Sequence, residues 1–162
     1  RLNYPISDNK LGTYGTWANG QTNQDTIRPL VFGEVFNITP LLTNPATQEY
    51  MVNDGNTELL IEIRDNGVAI HNSNIVGATV NHSTGRFKLL HPLVGTCTVS
   101  VQGVPKSINL VTGILDTTYV NSAANIVAII CTQFGNEAAK LTIDEIDLVN
   151  FNGFNTRFPH HS

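Results

Sequence analysis

The stretch "TELLIEIRDNGVAI", residues 57–70, carries alternating side chains on both sides of Asn66-Gly67. Asn-Gly is the strongest short hairpin signal, because both central positions of a type I′ turn need φ > 0. Asn66 and Gly67 are therefore expected to form a structural turn between two antiparallel strands. That reading sets the class of the whole region around it.

Similar patterns lie on either side. "IVGATVNHSTGRFKLL", residues 75–90, reads as a second hairpin turning near Ser83 to Gly85. A third is expected to join Phe87–Leu90 to "TCTVSVQ", residues 96–102, across "HPLVG". Turn signals every eight to twelve residues point to an antiparallel sandwich or barrel. Upstream, "RPLVFGEVFNITPLL", residues 28–42, places Asn37 inside an apolar run and prolines near both ends. Pro29 fits the start of a strand or an edge. Pro40 forces Thr39 to be extended, and Gly33 permits a bulge or a close backbone approach. Two strand pieces follow, about 30–32 and 34–38, with a corner at Pro40.

The period changes after Ile108. Val120, Ala123, Ala124, Ile126, Val127, Ile130 and Phe134 have helical spacing, with Gly135 at the C′ position and Asn121 or Ser122 as cap. The face Ala123, Val127, Ile130, Phe134 is expected against the β-domain, with Ile130 the most buried. In "LTIDEIDL", Thr142 and Glu145 have capping-box spacing, and Phe151 and Phe154 follow as on one face of a short helix. The fold class is mainly β with α (α+β): an antiparallel, hairpin-built sandwich or barrel, then an amphipathic helix and a short C-terminal helix. Residues 1–27 lack a sustained period and read as an extended arm. The expected domains are that arm, a β-domain over 28–117 and a helical appendage over 118–162 packed on it.

The 162 residues are 41% hydrophobic and only 14% charged, so polarity comes mostly from Asn, Thr, Ser and Gln. Such a surface suits a protein covered by neighbours, or an extracellular or virion protein. A net charge of -4 argues against nucleic acid as a partner, and the longest apolar run falls well short of the ~20 residues of a membrane span. The chain opens on Arg1 and not Met, as expected of a processed chain or a piece of a longer one. Cys97 and Cys131 both lie in apolar surroundings and read as buried free thiols.

Catalytic signatures are missing from the sequence. Asp54 and Glu58 lack the spacing of a calcium loop and read as a polar turn. Asp144, Glu145 and Asp147 are explained by the first turn of a helix. His71, His82 and His91 fall near turns without the spacing of zinc ligands. Walker, G-x-S-x-G, H-E-x-x-H and C-x-x-C patterns are all absent. The expectation is no catalytic residue, no metal and no cofactor. Two N-glycosylation sequons, at Asn37 and Asn81, are no more than chance supplies in a chain so rich in Asn, Ser and Thr. Tyr4, Tyr14 and Trp17, set among Gly, Thr, Asn and Gln, form a candidate glycan-contact platform, but the only Trp of a chain usually packs into its own domain, and packing of the arm on a core is the simpler reading.

Taken together, these segments resemble a family of tail-tip or baseplate proteins of tailed bacteriophages. The resemblance is carried by "RPLVFGEVFNITPLLTN", "YMVNDG", "IEIRDNGVAI", "STGRFKLLHPLVGTCTVSVQGV", "NSAANIVAIICTQFG" and "DEIDLVNFNGF", covering about residues 28 to 154. It implies a non-catalytic structural subunit in the virion, at the distal end of the tail. Its partners would be other tail subunits and copies of itself in a trimeric or hexameric ring. Hub proteins of that family are longer, so this chain would be one piece or a reduced relative. A carbohydrate-binding β-sandwich is the alternative.

Overall fold

The computed structural model describes residues 28–71, 74–75, 82–119, 122–134, 138 and 140–157. The chain divides into two compact units between Val104 and Pro105.

In the first unit, strands β1 (Glu34–Ile38), β4 (Leu59–Asp65), β5 (Val68–Ala69) and β7 (Cys97–Gln102) form one antiparallel sheet, in the order β1-β7-β4-β5. Strands β2 (Leu41–Asn44), β3 (Glu49–Met51) and β6 (Arg86–Lys88) form a second, in the order β2-β3-β6. Both sheets are open, so the arrangement is that of a sandwich and not a barrel. Ile63, Cys97, Val99 and Val101 of the first sheet share a core with Tyr50 and Phe87 of the second. The Tyr50 and Phe87 rings are register partners and stack with centroids 5.1 Å apart. Beside them, Glu49 pairs with both Arg86 (2.9 Å) and Lys88 (3.2 Å).

Asn66 and Gly67 have φ of 49° and 85°, and Asp65 pairs with Val68, so the β4–β5 hairpin turns as expected. A Cβ at Gly67 would meet nothing within 4 Å. Gly67→Val therefore tests backbone strain alone, and thermal unfolding is expected to show a loss of about 1 kcal/mol or more. An unchanged melting temperature would contradict the turn.

Asn37 explains its place in the apolar run. Its φ is 55°, and the β1–β7 register shifts between Val35 and Ile38. Asn tolerates the left-handed conformation that such a bulge needs. Of the two strand pieces expected here, only 34–38 forms. Residues 31 to 33 run beside the chain end of the unit without making a strand, with Val104 N–H donating to Val31 O (2.9 Å) and Gly103 N–H to Gly33 O (2.8 Å). The approach is so close that a Cβ at Gly103 would lie 2.0 Å from Val31 O.

The third expected hairpin does not form. β6 and β7 lie in different sheets, and β7 pairs with β1 and β4. Asp65 explains this choice: its carboxylate accepts from Val94 N–H (2.9 Å) and Gly95 N–H (2.7 Å), and Asn66 N–H donates to Thr96 O (2.9 Å). These bonds hold the segment entering β7 against the end of β4. The second expected hairpin does turn at 82–85, but β6 then pairs with β3; upstream, only an isolated bridge joins Ile75 to Leu89, and residues 76–81 lie outside the described residues. The β2–β3 hairpin was not anticipated, although Asn44-Pro45 is a turn dipeptide. There Asn44 Oδ1 accepts from Ala46 and Thr47 N–H (3.0 and 3.2 Å).

In the second unit, a small hairpin of β8 (Ser107–Ile108) and β9 (Leu115–Asp116) accompanies helices α1 (Ala123–Gln133) and α2 (Leu148–Arg157). Residues 105–117, expected with the β-domain, thus group with the helices. Ser122 Oγ caps α1 by accepting from Asn125 N–H (3.4 Å). The buried face of α1 is Ala124, Asn125, Ala128 and Ile129, whereas Ala123 and Val127 are exposed and Ile130 is only half-buried. The expected face is thus displaced by about one residue. Asn125 is the cause: buried, it accepts from Ile108 N–H (2.8 Å) and donates to Ile108 O (2.6 Å). A polar residue excluded from the inner face by its type is in fact the joint between α1 and β8.

Candidate functional site

Three of the carboxylates singled out in the sequence, Asp54, Glu145 and Asp147, bond within the fold. Asp54 pairs with Arg28 at 2.7 Å, and its N–H donates to Pro29 O. Glu145 accepts from Thr142 N–H (2.7 Å) and Oγ1–H (3.0 Å), and these bonds, the backbone one first, hold its carboxyl below the usual range. Only a 3-10 turn, Ile143–Glu145, follows them. The helix proper starts later, where Asp147 accepts from Asn150 N–H (3.1 Å) and Nδ2 (2.6 Å). His71, His82 and His91 stay in connecting segments, and no group of three or more His, Cys, Asp or Glu that could hold a metal occurs among the described residues. No helix among them is long and apolar enough to cross a membrane.

Cys97 and Cys131 are both free; Cys97 is buried, but Cys131 is only partly so, against expectation. Burial, with Asp65 adding to it, pushes the Cys97 thiol up to about 11. At neutral pH it stays protonated and behaves as a small apolar residue. Tyr4, Tyr14 and Trp17, the glycan-contact candidates, lie outside the described residues.

The structure draws attention to other places. In the second unit, α1 and α2 leave an apolar groove of about 350 Å³ lined by Ala123, Val127, Phe151 and Phe154. Around it, Val149 is 83% exposed and Phe154 48%. The first unit has its own apolar tip at the β4–β5 end. Val94 is wholly exposed and Val68 71% exposed, and Asp65 touches both segments, as register partner of Val68 and acceptor from Val94 N–H. Sequence reasoning passed over Val94 because a single apolar residue in a connection carries no periodic signal, and over Val149 because only Phe151 and Phe154 marked a face of α2.

A second hollow in the helical unit, of about 340 Å³, has a mixed polar and apolar lining. Asn152 and Asn155 of α2 line it together with Asp116, the last residue of β9, and Thr118. Asp116 Oδ1 accepts from Thr117 N–H (2.7 Å) and Oδ2 from Thr118 Oγ1–H (2.6 Å), and the Thr118 hydroxyl foremost keeps the carboxyl below its usual range. No sequence spacing joins 116–118 to 152–155; the fold does.

Comparison of the chain with protein-family models, with curated proteins and with solved structures finds no match.

Proposed function

We propose that this chain is a structural, non-catalytic subunit of a bacteriophage tail tip or baseplate, working in a closed ring of its own copies at the distal end of the tail. The observation that carries the assembly part is the apolar surface left open on each unit: Val94 and Val68 on the sandwich, Val149, Phe154 and the α1–α2 groove on the helical unit. Exposed apolar surface that gathers into a patch marks a contact surface. Few charges oppose association, since Lys and Arg total 9 and Asp and Glu 13 in 162 residues. Glu145 and Asp147 of the acidic cluster bond to Thr142 and Asn150, and Asp54, weighed as a calcium ligand, pairs with Arg28, which fits a scaffold. The phage part rests on the motif resemblance from "RPLVFGEVFNITPLLTN" to "DEIDLVNFNGF".

Light scattering after size exclusion tests the ring. Closed symmetry is the usual state of homo-oligomers, and the expected mass is three or six times 17.6 kDa. Val94→Glu is expected to shift the protein toward monomer without lowering its melting temperature, because the side chain is fully exposed within one chain. A monomer at all concentrations would contradict the ring.

A further inference from the structure

We propose that the polar hollow of the helical unit is a binding site for a neutral sugar ring. Six residues carry the inference: Leu110, Asp116, Thr118, Tyr119, Asn152 and Asn155. Its volume of about 340 Å³ lies within the ~300–1,000 Å³ of small-molecule sites. Among the lining residues, Leu110 and the Tyr119 ring offer apolar surface that suits the C–H face of a pyranose. The polar lining includes two carboxamides, one carboxylate and one hydroxyl, from Asn152, Asn155, Asp116 and Thr118.

The chemistry of that polar lining selects the ligand class. Asn152 and Asn155 are three apart on α2, so they share a face, and neither side chain bonds to another described residue. Each can donate and accept at once, as the vicinal hydroxyls of a sugar require. Asp116 spends one lone pair of each oxygen on Thr117 and Thr118 and keeps the others to accept from hydroxyl groups. An anion is disfavoured, because no Lys or Arg lines the hollow among the described residues and Asp116 would repel it. A cation would meet, among the described residues, a single carboxylate already engaged by its neighbours. A neutral polyol satisfies all four polar side chains with no net charge brought in.

The inference goes beyond the assembly reading and does not depend on it: a monomer that binds the sugar would overturn the ring alone. The test is a titration of the full chain, followed by NMR of the side-chain amides, with glucose, galactose, mannose, rhamnose and N-acetylglucosamine, and with inorganic phosphate as the anionic probe. At least one sugar is expected to shift the Asn152 and Asn155 amide signals saturably. Asn152→Ala with Asn155→Ala is expected to weaken binding about tenfold, as two lost hydrogen bonds imply. Its thermal unfolding should be unchanged, since neither amide is used within the fold; Asp116→Asn is a second, separate variant expected to weaken binding. Tighter binding of a neutral oligosaccharide than of its monomer identifies a polysaccharide as the source, and equal binding a free sugar. The proposal is overturned if no sugar gives saturable shifts, if the double variant binds undiminished, or if phosphate alone moves these signals.

Discussion

Replacing Phe87 by Ala is expected to destabilise the sandwich unit by roughly 3–5 kcal/mol, the range for truncating a buried aromatic ring. Phe87 is fully buried. It is central to β6, its ring stacks on Tyr50 at 5.1 Å, and the two residues are register partners across β3 and β6. Truncation removes both the burial and the stack, the latter worth a further ~0.5–1.5 kcal/mol in such pairs. Phe87→Leu, which keeps most of the volume, is expected to cost less. Chemical denaturation followed by Trp or Tyr fluorescence measures both. A loss below about 1 kcal/mol for Phe87→Ala would mean that the two sheets do not share this core.

The second large effect is expected at Asn53, which no exposed atom betrays. It is wholly buried, its Oδ1 accepts from Val31 N–H (2.8 Å), and its Nδ2 donates to Asn56 O (2.8 Å). Around it, Val52 N–H donates to Gly85 O (2.8 Å) and Asp54 N–H to Pro29 O (2.7 Å). One side chain thus ties the segment entering β1 to the loop after β3, beside the turn that leads into β6. Asn53→Leu keeps the size and removes both bonds, leaving the Val31 N–H buried without a partner. The expected cost is roughly 2–4 kcal/mol, because an orphaned buried group loses its full desolvation penalty. Hydrogen exchange should show the Val31 amide opening first. Wild-type stability in Asn53→Leu would show that the knot is hydrated rather than dry.

The elements that proved legible were those whose cause is local. The Asn66-Gly67 turn depends on two φ angles, and two adjacent residues announce it. Helix α1 was placed within a few residues by its period and its Ser122 cap. What failed depended on distant partners. β7 was assigned to its sequence neighbour β6, but Asp65, some thirty residues upstream, holds the preceding segment and directs β7 to β4. The phase of α1 differs from the expected one because "VAIICTQF" is apolar on several faces, and the face Ala123, Val127, Ile130, Phe134 leaves out Asn125. Its two bonds to Ile108 reverse that preference. The sugar hollow was illegible for the same reason: Asp116, Asn152 and Asn155 are unremarkable polar residues until β9 and α2 bring them together. Tyr4, Tyr14 and Trp17 had their setting among Gly, Thr, Asn and Gln in their favour, and they lie outside the described residues.

The most direct measurement of the central claim is localisation on intact particles. Tailed phage particles encoding this chain, purified and labelled with an antibody raised against residues 28–157, would be imaged by electron microscopy. The account predicts label at the distal end of the tail and nowhere else, with the chain recovered from the particles in a fixed stoichiometry of three or six. Recovery of the chain only from the lysate, with no label on the particles, would contradict it.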